Sequence, residues 1–192
     1  MLRQTVPSEI ESAITTTKTT RVSLWRARAI AFLRIAFGLI WAIDAWFKWQ
    51  PGFISSFTDQ ITKAKQDQPQ GVQSWLSFWA HLVGSNPHFF AYLAAAMETA
   101  LAVFLILGLL TQLTCLVGIV WSLAIWAIPE GFGGPYKPGD STDVGTALLY
   151  ALMFAVLFAI AAGRYYSIDQ WLTPRLSRFG FLAAGVPRRG RQ

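Results

Sequence analysis

Four long apolar runs constrain the fold of this chain more than any other feature. They cover about residues 29–49, 89–110, 113–129 and 144–163. Each holds about 17 to 22 residues, and a helix rising about 1.5 Å per residue can then cross a hydrocarbon core about 30 Å thick. The sequence therefore predicts an all-α fold, an integral membrane four-helix bundle.

Composition and motifs exclude most soluble enzymes. Hydrophobic residues make up 54% of the chain and charged residues 14%, about half of the charged share usual in soluble domains. No Gly-x-Gly-x-x-Gly, Walker or Cys-x-x-Cys motif occurs, so a soluble cofactor would have to be carried by a partner chain. Because Cys115 is the single cysteine, an intrachain disulfide is impossible.

The distribution of basic residues predicts the topology. Of the 16 lysines and arginines, five precede the first apolar run and six follow the fourth, whereas acidic residues dilute the basic residues of the longer loops. By the positive-inside rule both termini are cytoplasmic and both longer loops lie outside the plasma (inner) membrane. The net charge of +6 thus concerns topology and lipid contact, and no nucleic-acid partner is predicted.

Domain organisation follows from these runs. Residues 1–28 are predicted to be a disordered cytoplasmic tail, residues 29–172 the transmembrane domain, and residues 173–192 a basic cytoplasmic tail. In the first outer loop, segments 53–65 and 72–83 carry apolar residues at helical spacing, which predicts two short amphipathic helices. Ser141 or Thr142 is predicted to cap the fourth span.

Ionisable residues inside predicted spans are costly and need a reason. Glu98 lies about 13 Å below the outer end of its helix, and small alanines share its face, so it is predicted to point into the bundle. Arg34 can extend back to the headgroups or outward to Glu98. Asp44 lies four residues before Lys48, a spacing that permits an ion pair.

Three interpretations of these charges stay open. In one, Glu98 and Arg34 only lock two helices together. In another, Glu98 with Asp44 and Asp143 lines a polar pocket open to the outer side, where a carboxylate accepts a proton from a quinol or binds a cation. A functionally silent, lipid-facing or protonated Glu98 is the third possibility.

Tryptophans and histidines give weaker indications. The nine tryptophans are typical of an interfacial belt and of packing, although a quinone head group stacked among Trp41, Trp46 and Trp126 is a further hypothesis. His81 and His88 lack the regular spacing of metal ligands, so no metal site is predicted.

Three short motifs resemble the DoxX/DoxD family of small four-helix membrane proteins. They are the opening helix around Arg34 (residues 33–41), the lone Glu98, and the sequence Ala-Gly-Arg-Tyr-Tyr-Ser-Ile-Asp at 162–169. The last is similar to the family's Gly-Arg-x-Ser-(Leu/Ile)-Asp motif, with one extra residue between arginine and serine. Segments 133–136 and 142–145 are similar to a DoxD-like branch. The resemblance covers about residues 29–172 and implies a structural motif of Gly163, Arg164, Ser167 and Asp169.

What the resemblance implies about function is a membrane subunit of an oxidoreductase. DoxD is a subunit of thiosulfate:quinone oxidoreductase, and DoxX relatives are linked to membrane oxidoreductase complexes and thiol stress. We therefore expect oxidation of a sulfur compound or thiol to be linked to membrane quinone, with a partner subunit or a homo-oligomer. Glu98 would handle protons with Arg34 as its counter-ion, and Arg164 and Asp169 would form an inner clasp. The alternatives are a small-solute or ion transporter and a non-catalytic assembly or anchor protein.

Overall fold

The computed structural model describes residues 8–136, 144–176 and 179–184, with side chains described from Leu24 onward. Over these residues the regular structure is helical, which confirms the all-α prediction. Two 3-10 turns, Gly131–Gly133 and Ala162–Arg164, accompany the α-helices. The α-helices are α1 Ser8–Lys48, α2 Pro51–Ser55, α3 Phe57–Ala64, α4 Gln70–Gly84, α5 Pro87–Leu107, α6 Thr111–Ala127, α7 Thr146–Ala159, α8 Asp169–Leu172 and α9 Phe181–Ala184.

Helix α1 is longer than the sequence analysis predicted. It begins at Ser8 and runs for 41 residues, so it includes most of the segment assigned to a disordered tail. Residues 8–28 contain neither proline nor glycine, the residues that most strongly interrupt a helix. The continuous helix therefore meets no local obstacle before the apolar run begins.

Two helices among the described residues are long and apolar enough to cross a membrane. They are Leu24–Lys48, with 25 residues, and Pro87–Leu107, with 21. The apolar helices α6 and α7 have 17 and 14 residues. Helix α7 stops at Ala159 because Ala161 adopts a left-handed backbone conformation before the 3-10 turn at Ala162. The predicted run 144–163 is therefore a helix followed by a turn.

Apolar side chains cover the outside of the bundle and charged side chains lie within it. Arg34, Glu98 and Asp169 are at most 1% exposed. Large apolar side chains face outward on all four long helices, among them Phe32, Ile43, Val103, Leu116, Val120, Leu149 and Leu152. This distribution is the reverse of that in soluble proteins and is typical of proteins surrounded by lipid.

The core joins the four long helices. Helix α1 packs on α5, and α6 packs on α7. Phe37 and Trp41 of α1 contact Phe154 of α7, with ring centroids 4.9 and 5.6 Å apart, and Leu105 of α5 and Cys115 of α6 complete the cluster. Cys115 is fully buried there, so it serves packing.

Helices α3 and α4 close one end of the bundle, which we call the outer end; the 162–169 motif marks the inner end. Ile61 of α3 and Leu76 and Val83 of α4 form a second apolar cluster, against which Ile128 packs. The buried Gln68 amide between the two helices donates to the carbonyl of Gly131 at 3.1 Å. The two predicted amphipathic helices are thus confirmed as a cap on the bundle.

A glycine in α6 allows α7 to approach closely. A Cβ atom at Gly118 would lie 2.3 Å from the Phe154 ring. We expect Gly118→Ala to lower the free energy of unfolding by about 1–3 kcal/mol through overpacking, measured by thermal unfolding in detergent micelles. Gly84→Ala in α4 is the matched control, since nothing lies within 4 Å of its Cβ position. Equal effects of the two substitutions would contradict the packing described.

Candidate functional site

Glu98 lies in the middle of α5 and points into the bundle, as predicted. Its side chain is 1% exposed, and its Oε1 atom lies 3.7 Å from the Lys48 ammonium at the end of α1. Lys48 also lies 3.5 Å from Asp44 Oδ1, which confirms the predicted ion pair one helical turn apart. One ammonium group therefore serves two carboxylates.

The charge balance of this cluster is uneven. Two carboxylates share one cation, so the group carries one negative charge when both acids are ionised. Uptake of one proton would neutralise it, and neutral clusters cost least in apolar surroundings. The arrangement therefore favours a site that can hold a proton.

A cavity of about 420 Å³ adjoins Glu98 at the outer end of the bundle. Helices α1, α3, α4, α5 and α6 all contribute to its wall, which is mostly apolar. Its lining includes Lys48, Phe53, Trp79, Phe90, Trp121 and Ile128. Such a volume and lining are typical of small-molecule sites.

The second oxygen of Glu98 has no hydrogen-bond partner within the part of the chain that the structure describes. This Oε2 atom is buried, and the Trp121 indole lies near the carboxylate. Buried polar atoms without a partner are uncommon in native proteins. The carboxylate therefore retains a free acceptor at the cavity.

Arg34 is not the counter-ion of Glu98, contrary to the prediction. Its guanidinium group is fully buried at the inner end and donates to the carbonyl oxygens of Ala162 at 3.2 Å, Tyr165 at 3.2 Å and Tyr166 at 2.8 Å. Side chains on a helix lean toward its N-terminus. The N-terminal side of α1 is the side of the inner end. The Arg34 side chain therefore leans away from Glu98, while the Lys48 side chain leans toward it.

The predicted motif at 163–169 forms a clasp between the inner ends of the helices. The buried Asp169 carboxylate accepts from the backbone N–H groups of Leu110 at 2.7 Å and Thr111 at 2.8 Å, at the start of α6. The Ser167 hydroxyl donates to the Gly163 carbonyl. A Cβ at Gly163 would lie 2.7 Å from Asp169 Oδ2, so the glycine permits this approach.

Arg164 takes part in the clasp through its backbone. Its carbonyl oxygen accepts from the Gln170 side chain at 2.9 Å. Two backbone hydrogen bonds join the motif to the end of α5. The Ile168 N–H donates to the Leu107 carbonyl at 3.1 Å, and the Asp169 N–H donates to the Gly108 carbonyl at 3.0 Å. The motif therefore joins the end of α5 to the start of α6.

The three tryptophans proposed for quinone stacking have separate surroundings. Trp41 is fully buried in the core, Trp46 is 68% exposed, and the Trp126 indole donates to the Val144 carbonyl at 2.7 Å. None of them is among the described residues that line the cavity, whereas Trp79 and Trp121 are. Sequence spacing gave no signal for these two, which come from different helices.

The start of α7 differs from the prediction. Asp143, proposed for the outer pocket, lies outside the described residues, as do Ser141 and Thr142. Helix α7 begins at Thr146, and the Glu130 carboxylate accepts from the Ala147 N–H at 3.1 and 3.2 Å. Glu130 thus supplies the acceptor expected of a cap, from a residue that also lines the cavity.

The comparisons with known proteins agree with this arrangement. Residues 29–130 match the family model described as DoxX. The chain belongs to the DoxX family. Proteins of this family are membrane proteins, as the apolar outer surface indicates. The matched segment contains Arg34, Asp44, Lys48 and Glu98 and ends before the clasp motif. No similar curated protein and no similar solved structure was found.

Separation of the two charged sites gives a prediction for Arg34. Arg34→Gln removes three charge-assisted hydrogen bonds in buried surroundings, so we expect a loss of about 3–5 kcal/mol in the free energy of unfolding. Chemical or thermal denaturation in micelles measures it. Arg28→Gln is the control, because Arg28 is exposed on the same helix and should change stability by less than about 0.5 kcal/mol. Similar stability of the two variants would contradict the role of Arg34.

Proposed function

We propose that this DoxX-family chain is an integral membrane subunit of an oxidoreductase complex and that its outer cavity holds the head group of a membrane quinone. One observation carries the proposal. Glu98, a carboxylate that is 1% exposed and has one oxygen atom without a hydrogen-bond partner among the described residues, lies in the wall of a mostly apolar cavity of about 420 Å³. Buried acids inside membrane proteins characteristically serve proton or ligand handling.

The residues of the cavity suit a quinone. Its ring needs flat apolar surroundings, which aromatic residues such as Phe90 and Trp121 supply. Its oxygen atoms need hydrogen-bond donors, and the Lys48 ammonium lies at the wall, over the Phe53 ring at 5.1 Å. The charged and amide side chains of the wall are few, namely Lys48, Gln60, Glu98 and Glu130. A mostly apolar wall with a few polar groups is the usual design of a site that orients an apolar ligand.

The chemistry divides between the quinone, this chain and a partner. A bound quinone supplies the redox chemistry, accepting two electrons and two protons as it becomes quinol. The electrons would come from a sulfur compound or thiol oxidised by a partner subunit, as in the thiosulfate-oxidising DoxD type. Glu98 Oε2 would give one of the two protons to the reduced ring, and Lys48 would then compensate the carboxylate. Water at the outer side would supply the second proton and would reprotonate Glu98.

Packing below Glu98 favours this function over ion transport. Toward the inner end, Trp41, Leu101, Leu105 and Phe154 are at most 3% exposed and fill the bundle. A transported ion would need a polar path through these side chains. A site reached from the outer side needs none, so the closed inner half favours bound-ligand chemistry.

We further propose that the chain spans the plasma membrane four times with both termini in the cytoplasm. The outward faces of α6 and α7 are apolar, with Leu116, Val120, Leu152 and Val156 exposed. Helix α7 covers about 21 Å at 1.5 Å per residue, and the turn that follows it adds to this length. The excess of basic residues at the chain ends supports the orientation.

Reporter fusions test the membrane arrangement. We expect a fluorescent protein that folds only in the cytoplasm to be active when fused at either end of the chain. A phosphatase that is active only outside should work when fused after Lys65 and after Tyr136 and should stay inactive when fused after Leu110. Phosphatase activity after Leu110, or at either terminus, would contradict the four-span arrangement.

Glu98→Gln tests the proposed chemistry. The amide keeps the size of the side chain but cannot exchange a proton, so thiosulfate- or thiol-dependent reduction of decylubiquinone by the purified complex should fall at least about a hundredfold. The complex is first isolated by mild-detergent pull-down with native lipids, and its quinone content is measured by solvent extraction.

Asp59→Asn is the matched control, since Asp59 is an exposed carboxylate in α3 and the substitution should leave the rate unchanged. Absence of quinone from the isolated wild-type protein would contradict the proposal. A Glu98→Gln rate equal to the control would likewise point to a purely structural or anchoring role.

A further inference from the structure

Three residues that line the cavity each carry a buried polar atom without a hydrogen-bond partner among the described residues. These atoms are Oε2 of Glu98 and the indole Nε1 atoms of Trp79 and Trp121. All three residues line the same cavity, although they come from α5, α4 and α6. Isolated unpaired atoms would be a packing defect, whereas three around one space indicate a shared ligand.

The neighbouring tryptophans show that the unpaired indoles are not a general feature of this end. Trp75, one turn before Trp79 and 5.7 Å from it between ring centroids, donates to the Ala127 carbonyl at 3.0 Å. Trp126, five residues after Trp121, donates to Val144. Both satisfied indoles bond to backbone outside the cavity wall, while Trp79 and Trp121 lie at the wall. The Trp41 indole, buried in the core away from the cavity, is unpaired among the described residues as well.

The kind of unpaired atom defines the ligand. An indole N–H only donates, and a carboxylate oxygen accepts or carries a proton. The three unpaired atoms therefore supply two neutral donors and one acidic group, in a wall whose other polar residues are Lys48, Gln60 and Glu130 and whose remainder is apolar. A planar ring with two acceptor oxygens that become hydroxyl groups on reduction matches this set in both of its redox states.

We propose that Trp79 and Trp121 are the head-group donors of the cavity, each giving its indole N–H to an oxygen atom of the quinone, with Glu98 Oε2 facing the same head group. This inference rests on the proposed function and names the residues that recognise the ligand. Neither tryptophan acts in proton transfer, so their effect is on affinity. The ring oxygens, and not the apolar tail, are then what the cavity selects.

Indole resonances test the proposal on the purified full chain. We label the tryptophan side chains with ¹⁵N, assign the signals by Trp→Phe substitutions, and titrate decylubiquinone into the micelle-bound protein. The Trp79 and Trp121 N–H signals should move downfield as they form hydrogen bonds, and the Trp75 and Trp171 signals should stay in place. Decylbenzene, which has a similar tail and no ring oxygens, should leave the Trp79 and Trp121 signals unchanged.

Affinity gives the second measurement. Trp79→Phe and Trp121→Phe should each weaken decylubiquinone binding about threefold to tenfold, the effect of losing one neutral hydrogen bond. Trp171→Phe is the control, because Trp171 is 78% exposed at the inner end, and it should bind as wild type. The titration of wild-type protein decides the matter even where a cavity variant fails to fold.

The outcomes separate this inference from the proposed function. Quinone binding that leaves the Trp79 and Trp121 signals in place overturns the donor assignment while the quinone site stands. Equal shifts with decylbenzene also overturn it, because apolar filling alone would then explain them. Wild-type protein that binds no decylubiquinone overturns both proposals.

Discussion

Burial of charge in apolar surroundings is the constraint on which the rest of this structure depends. An ion removed from water is tolerated only when paired or surrounded by hydrogen-bond partners. The bundle meets this requirement at both ends in different ways. At the inner end Arg34 donates to three carbonyl oxygens and Asp169 accepts from two backbone N–H groups. At the outer end the Lys48 ammonium forms ion pairs with both Glu98 and Asp44.

The inner end holds the helices together, whereas the outer end carries the proposed site. The inner clasp joins α1, the turn between α5 and α6, and the 162–169 motif, and glycines at 108 and 163 make room for it. There the charged groups each have several hydrogen bonds, and Arg34 Nε, Thr111 Oγ1 and Gln112 Oε1 are the buried polar atoms without a partner among the described residues. The outer cluster keeps acceptor and donor atoms unpaired beside a cavity, an arrangement that costs stability and is expected at functional sites.

The sequence predicted features that depend on local pattern. Apolar runs gave the long helices, amphipathic spacing gave α3 and α4, and alanines one turn away predicted that Glu98 points inward. The partner of Arg34 could not be predicted, because carbonyl groups 128 to 132 residues away carry no mark in the sequence. The left-handed residue Ala161, which ends α7, is equally unmarked, since alanine normally favours a helix. Trp79 and Trp121 line one cavity only because α4 packs on the bundle.

The position of Lys48 would let the outer site change its protonation state, as the proposed function requires, without leaving a charge unpaired. Its ammonium lies 3.7 Å from Glu98 and 3.5 Å from Asp44. When Glu98 holds a proton, Lys48 keeps Asp44 as its ion pair. When Glu98 is ionised, the same ammonium is already within reach, and no side chain has to cross the bundle. Asp44 is partly exposed and so bears its own charge at lower cost. Had Arg34 been the sole partner of Glu98, as the sequence analysis predicted, protonation of Glu98 would have left the guanidinium group without an ion pair in apolar surroundings.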